Sequence, residues 1–290
     1  MKTCAIVLTF CTLVLSATCA RADQFTVLGT ASTYGVLGAS TITSSGPTVV
    51  SGNLGLYNGT SVTGFLPGTV INGSMHITDR QAQTALADAQ GAFNFLSGFA
   101  PTQTLTGQDL GGLTLGSGVY YFSTSAALNG SLTLDFQNAN DANIIFLIGT
   151  TFTTSANSSM SVVHQGRNDN VYYVVGTSAS LGANSVFAGD ILADGSIGLG
   201  TGVRSECGSL AALLGAVTML SNEINNCSST GSNVTPYSVA IPPDPTPVPE
   251  PDTFAMLATG LLAGTGIFRR RLSSFCSNRI ATAREFAWRK

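Results

Sequence analysis

Lysine is missing from residues 23–252, and histidine occurs only at His76 and His164 in 290 residues. Charged residues make up 9% of the chain, against about 25% in an ordinary globular protein. Most of the bases sit at the two ends. Residues 23–252 keep only Arg80, Arg167 and Arg204, against fourteen acids, a formal net charge of −11. A surface of that sign repels phosphate backbones, which excludes nucleic acid as a partner. The two histidines have no Cys or His at ligand spacing, so no metal site is expected. There is no Gly-x-Ser-x-Gly nucleophile elbow. Acid pairs such as Asp190 and Asp194 fall near strand junctions and read as solvated turns, or as a loose Ca²⁺ contact, rather than a catalytic dyad. No catalytic residue and no cofactor is expected. The three arginines are expected to pair with neighbouring acids.

What is present is apolar and small. Hydrophobic residues make up 44% of the chain and glycine contributes 33 residues. That composition suits a β-rich fold with a small-residue surface rather than a disordered chain.

The ends differ from the middle. Lys2 precedes the apolar run "CAIVLTFCTLVLSA", and Ala20-Arg21-Ala22 has the small-residue form of a cleavage site. Residues 1–22 therefore read as a secretory signal peptide. Cleavage after Ala20 is the alternative, and a lipidated Cys19 is disfavoured by Thr18 just before it. At the other end, residues 236–252 are a proline-rich linker, stiff and extended. Residues 253–268 are an uncharged apolar run, slightly short of the about 20 residues of a full span. Arg269, Arg270 and Arg271 form a basic stop that would stay cytoplasmic. Residues 253–271 read as a short transmembrane helix with its stop, and 272–290 as a basic cytoplasmic tail. The order Pro249-Glu250-Pro251, apolar helix, arginines resembles a PEP-CTERM sorting signal. That resemblance implies a bacterial chain whose motif is recognised by an exosortase. It also implies a helix and tail that are removed at the cell surface, so membrane anchoring is transient.

Between the ends, "ITDRQAQTALADAQGAFNFLSG" places Ala82, Ala85, Leu86, Ala89, Ala92, Phe93 and Leu96 on one stripe of helical period. Thr78 or Asp79 can cap its start and Gly98 can close its end. Elsewhere the period is two, in short runs such as "GLTLGSGVYYF" and "NIIFLIG", separated by Gly, Asn and Asp.

The glycines of "ADGSIGLGTGV" (residues 193–203) miss the Gly-x-Gly-x-x-Gly spacing of a nucleotide loop by one residue. They fit a repeat instead. "SASLG" at 178–182, "SIGLG" at 196–200 and "AVTML" at 216–220 start 18 and 20 residues apart. In each, the second and fourth residues are apolar and the others mostly small. Side chains alternate across a strand, so Ala179/Leu181, Ile197/Leu199 and Val217/Met219 stack inside a β-helix coil. Gly198 and Gly200 then point outward and Gly202 lies in the following turn. The exported part keeps Cys207 and Cys227, also 20 apart. Adjacent rungs lie about 4.8 Å apart, within the Cα separation of roughly 4.4–6.8 Å that a disulfide needs. A rung-to-rung disulfide is expected in an oxidising compartment.

"LGTASTYGVLGASTITSSGPTVVSGNLGLYNGTSVTGF" with "PGTVINGSMHITDRQAQTALADAQ", and later "GDILADGSIGLGTGV", resemble the microbial ice-binding-protein-like (adhesin) domain. The likeness spans about residues 25–224. It implies a right-handed discontinuous β-solenoid of triangular section with one long α-helix alongside, here over 23–235. It also implies a flat face of small side chains that orders water or binds ice. Outward positions here offer Thr41, Thr43, Thr151, Thr153, Ser178, Ser180, Ser196 and Thr218. The expected protein is an exported, monomeric, surface-sorted ice binder. The alternative is a structural or adhesive matrix protein on the same scaffold, in contact with extracellular polysaccharide. An enzyme acting on polysaccharide would need cleft carboxylates that are missing.

Overall fold

The computed structural model describes residues 27–227. Among them, three parallel sheets of nine, seven and eight strands form the sides of a triangular solenoid. One coil runs Asn143–Ile148, Phe152–Thr154, Ser159–Val163, one strand per sheet. The next runs Asn170–Val175, Ala179–Leu181, Val186–Phe187. Each strand pairs in parallel register with its counterpart one coil away.

The coils do not stack in chain order. The first, Tyr34–Gly38, Thr41–Ser45 and Val49–Ser51, is followed by Asn53–Leu56, Ser61–Thr63 and Thr69–Ile71, and then by Met75–Ile77. The helix Arg80–Ser97 then carries the chain to Gln103–Thr104, at the opposite edge of the nine-stranded sheet. An 18-residue helix is about 27 Å long, and eight strand spacings are about 38 Å, so helix and linkers together cover the stack. Later coils grow back toward the first. The last of them, Leu210–Ala212, Val217–Leu220 and Glu223–Asn225, pairs directly with it in all three sheets.

The helix forms where its stripe is found. Asp79 caps it, accepting from Ala82 N at 2.8 Å, and Gly98 closes it. Ala82, Ala85, Leu86, Ala89, Ala92 and Leu96 are buried, while Phe93 is half-buried. Alanine lets the helix lie close on the nine-stranded sheet. There it meets Leu37, Ile145, Leu147, Tyr172, Val174, Leu192 and Ala211. That sheet is consequently buried on both faces, and residues 144–148 read as a continuous apolar run. Inside the triangle, Tyr120, Phe146 and Tyr173 occupy one register row. Their rings stack at 5.5 and 4.8 Å, and Phe152 joins Tyr173 at 5.1 Å. Cys207 and Cys227 are bonded across adjacent coils, Cα atoms 5.2 Å apart. Closing a 20-residue loop contributes about 3 kcal/mol.

Two expectations about charge are corrected. Asp190 is not a solvated turn. It starts the strand Asp190–Ala193, and its carboxylate accepts from Ser209 N at 2.9 Å and Ser209 Oγ at 2.8 Å. Burial of the carboxyl pushes its pKa up to about 6, against the effect of both Ser209 bonds. Of the three arginines, Arg204 pairs with Glu223 at 2.7 Å. Among the described residues Arg80 and Arg167 make no such pair. Arg80 is exposed at the first position of the helix and Arg167 is exposed in a turn.

The Asp190 shift sets a pH dependence. In the unfolded chain it ionises near its ordinary value of about 3.9. Between about pH 4 and 6 the folded state therefore holds a proton that the unfolded state has released. Its stabilising effect is complete below about pH 4 and is lost as pH rises through about 6. Asp79 behaves oppositely. Its cap bond from Ala82 and its contact with His76 hold its pKa low, so its contribution is lost on acidification. Asp190→Asn keeps an acceptor for Ser209. The urea midpoint of wild type relative to this variant should decline from about pH 4 to about pH 6; parallel curves would refute the assignment.

Candidate functional site

The seven-stranded sheet is the one side of the triangle whose strand positions facing outward carry no charged residue. Two rows run along it. In the first, Ala127, Thr153, Ser180, Gly198, Thr218, Thr43 and Thr63 are consecutive register partners across seven coils. Thr153, Ser180, Thr218, Thr43 and Thr63 are exposed, and the residues flanking them in each strand point inward. In the second row, two residues earlier in each coil, stand Thr151, Ser178, Ser196, Ala216, Thr41 and Ser61. Backbone bonds from Phe152 to Ser178, Ala179 to Ser196 and Ile197 to Ala216 keep this row in step, and Thr41 pairs with Ser61. All eight residues singled out from the sequence therefore lie on one side of the triangle, Thr151, Ser178 and Ser196 each one residue ahead of its strand. Thr41, Thr151, Ser178 and Ser196 share one row, and Thr43, Thr153, Ser180 and Thr218 the other.

The rows form a lattice fixed by backbone geometry, about 4.8 Å between coils and about 6.7 Å between rows. Side chains in the second row are also pinned. Ser178 Oγ accepts from Ser196 N at 3.2 Å, and Ser196 Oγ accepts from Ala216 N at 3.1 Å. Among the described residues, the hydroxyls of Thr43, Thr153, Ser180 and Thr218 make no protein hydrogen bond, so they face water. Gly198 interrupts the first row. A Cβ placed there would find only Thr218 Oγ1, at 3.5 Å, an ordinary contact. Leu220, 40% exposed, flanks the rows on the side of Ser45. Gly202 ends this rung at φ +71°, where a left-handed turn is required.

Sequence reasoning missed Ser61, Thr63 and Ala216. The alternation Ser61-Val62-Thr63 was a usable signal for the first two. The third sheet is different. Thr133 and Ser161 are neighbours there, but the Arg204–Glu223 ion pair crosses its middle. His76 lies 2.9 Å from Asp79 and His164 2.9 Å from Asp135. No group of metal-ligating side chains occurs among the described residues.

The site is thus one uncharged lattice of small side chains on a triangular parallel β-solenoid. Residues 36–225 match the Ice-binding-like family, and the chain belongs to it. Residues 247–271, with Pro249, Glu250, Pro251 and Arg269–Arg271, match the PEP-CTERM protein-sorting motif. The chain is 45% identical to an ice-binding protein of Nostoc sp. (strain HG1), over 87% of this chain and 90% of that one. It resembles the crystal structure of an ice-binding protein from the Antarctic ascomycete Antarctomyces psychrotrophicus, with a TM-score of 0.63 and 36% identity. That match covers 68% of this chain and 96% of the other. A further likeness is to an ice-binding protein from an Antarctic biological consortium, with a TM-score of 0.65 and 36% identity, covering 68% and 89%.

The apolar run at 253–268, the arginine stop and the signal peptide lie outside the described residues. Among the described residues no helix is long and apolar enough to cross a membrane.

Proposed function

We propose that the chain is an exported ice-binding protein that adsorbs to ice through its seven-stranded sheet. The observation that carries this reading is the pair of in-register rows, Thr41, Thr151, Ser178, Ser196 and Thr43, Thr153, Ser180, Thr218, on the uncharged side of a rigid solenoid. Adsorption needs no reaction. Threonine offers a methyl group that excludes loose water and a hydroxyl that holds ordered water. A face whose backbone is already fixed loses little entropy on docking. The chain works as a monomer, because each solenoid carries a whole face. Sorting follows from the C-terminal motif. Exosortase reads Pro249-Glu250-Pro251, residues 253–268 hold the chain in the membrane in transit, and the product reaches the cell surface or beyond. Contact with extracellular polysaccharide is a secondary role consistent with that sorting.

The direct test is partition into slowly grown ice. The exported chain should be enriched in the ice fraction, and exclusion with other solutes would oppose the reading. Filling the gap in the first row sharpens it. A Cβ at residue 198 makes only an ordinary contact, and Gly198→Thr makes the row of hydroxyls continuous from Ser180 to Thr218. Thermal hysteresis at equal concentration should rise, by the share that one added contact makes in a row spanning the seven-stranded sheet. No gain, or a loss, would place the working rows elsewhere.

A further inference from the structure

The two ends of the solenoid are finished differently. At the end built from Gln103–Thr104 and Thr114–Leu115, the inward residues Leu105, Leu110 and Leu115 are buried. At the other end the last strands are Ser61–Thr63, Thr69–Ile71 and Met75–Ile77, and no described strand extends any sheet beyond them. Met75 and Ile77 stand in register with the fully buried Leu54 and Leu56. They are interior positions of a coil with nothing stacked above it among the described residues, and are 40% and 37% exposed. Ile71 is 45% exposed, and Leu66, in the turn beside them, 94%. Val62, Phe65 and Val70 complete the end as partly buried residues. Apolar interior groups and three open strand edges meeting at one place mark a docking surface.

We propose that residues 234–240 of the same chain cap this end, with Tyr237 and Val239 covering Met75 and Ile77. Three observations select this occupant. The first is area. A coil of about 20 residues at about 3.3 Å each frames a triangle on the order of 200 Å², far below the about 800 Å² per partner of a stable complex. A second copy docking end to end would be too weak, whereas a tethered segment acts at an effective concentration in the millimolar range. The second is reach. Glu223–Asn225 lies two strands from the end of its sheet, in the order Thr69–Ile71, Val49–Ser51, Glu223–Asn225. A cap must therefore climb three spacings, about 14 Å. The nine residues 228–236 can extend about 30 Å. The third is chemistry. Residues 228–240, "SSTGSNVTPYSVA", carry no charge, and Tyr237-Ser238-Val239-Ala240 alternates large apolar with small. That is the pattern of a strand with one buried face, suited to augmenting an open edge. The end strands are likewise free of Asp, Glu, Lys and Arg. The segment lies between the family match, which ends at residue 225, and the sorting motif, which starts at 247.

Met75 reports the cap. Its thioether is oxidised by peroxide in proportion to its exposure, and Met160 and Met219, 2% and 3% exposed, serve as internal controls. In the exported chain Met75 should oxidise nearly as slowly as those two. In Tyr237→Ser/Val239→Ser it should oxidise roughly tenfold faster while Met160 and Met219 stay slow. Should all three methionines become reactive because the double variant unfolds, the single Val239→Ser variant is read the same way. Equal Met75 rates in wild type and variant would overturn the proposal. Protection of Met75 that disappears on dilution would also overturn it, in favour of a second copy. The readout involves no ice, so it stands or falls apart from the function proposed above.

Discussion

Thr218→Tyr is expected to abolish ice shaping and lower thermal hysteresis at least about tenfold, with the fold intact. Thr218 is exposed next to the centre of the first row, between Gly198 and Thr43. Its neighbours along the strand, Val217 and Met219, point inward. A tyrosine ring there stands above the plane of hydroxyls and methyls and holds a flat surface off the adjacent coils. It removes nothing from the core, so the cost in stability should stay within about 0.5 kcal/mol, as for ordinary surface changes. Thr133→Tyr on the third sheet is the matched control, because the same bulk on the side crossed by Arg204 and Glu223 should leave activity unchanged. Loss in both variants, or in neither, would argue against the seven-stranded sheet as the working face. Circular dichroism and a melting curve on each variant establish that the fold is retained.

The second large effect concerns rigidity. Phe146→Ala should cost about 3–5 kcal/mol, the range for deleting a fully buried phenylalanine. Phe146 is wholly buried and lies between Tyr120 and Tyr173 in one stack. Its removal leaves a void within a repeating row, and the coils on either side cannot close it without breaking register with their neighbours. For a domain of this size the melting temperature should fall on the order of 10 °C. Activity per folded molecule in the cold should survive, because the outer rows keep their backbone spacing. A drop of less than about 1 kcal/mol would mean that the stack is not part of a tightly packed core.

The sequence exposed some of this architecture and hid the rest for physical reasons. The helix was legible because its alanine stripe, Asp79 and Gly98 are all local signals. The coils at 178–220 were legible because inward Ala179, Ile197 and Val217 recur at nearly constant spacing and are in fact register partners. The placement of the first coil was not legible. Asn222 N donates to Thr48 Oγ1 across 174 residues of chain, and Thr43 finds Thr218 in the same way. No local period encodes such a junction. The row of small residues could therefore be suspected at both ends of the sequence but not joined into seven consecutive positions. The nine-stranded sheet hid its facing for another reason. The helix covers its outer side, so Tyr34–Gly38 is buried at every position and the alternation that marks an exposed strand disappears. Asp190 misled because an acid near glycine resembles a turn. Its burial follows from Ser209, a residue of the next coil, whose approach no neighbour in sequence announces.

The central claim is that this solenoid adsorbs to ice. The most direct measurement is ice shaping and recrystallisation with the purified exported chain at micromolar concentration. Faceted crystals and arrested grain growth are the predicted result. Round crystals and ordinary coarsening, from protein that melts cooperatively and is therefore folded, would contradict the account and leave the scaffold to adhesion or matrix structure.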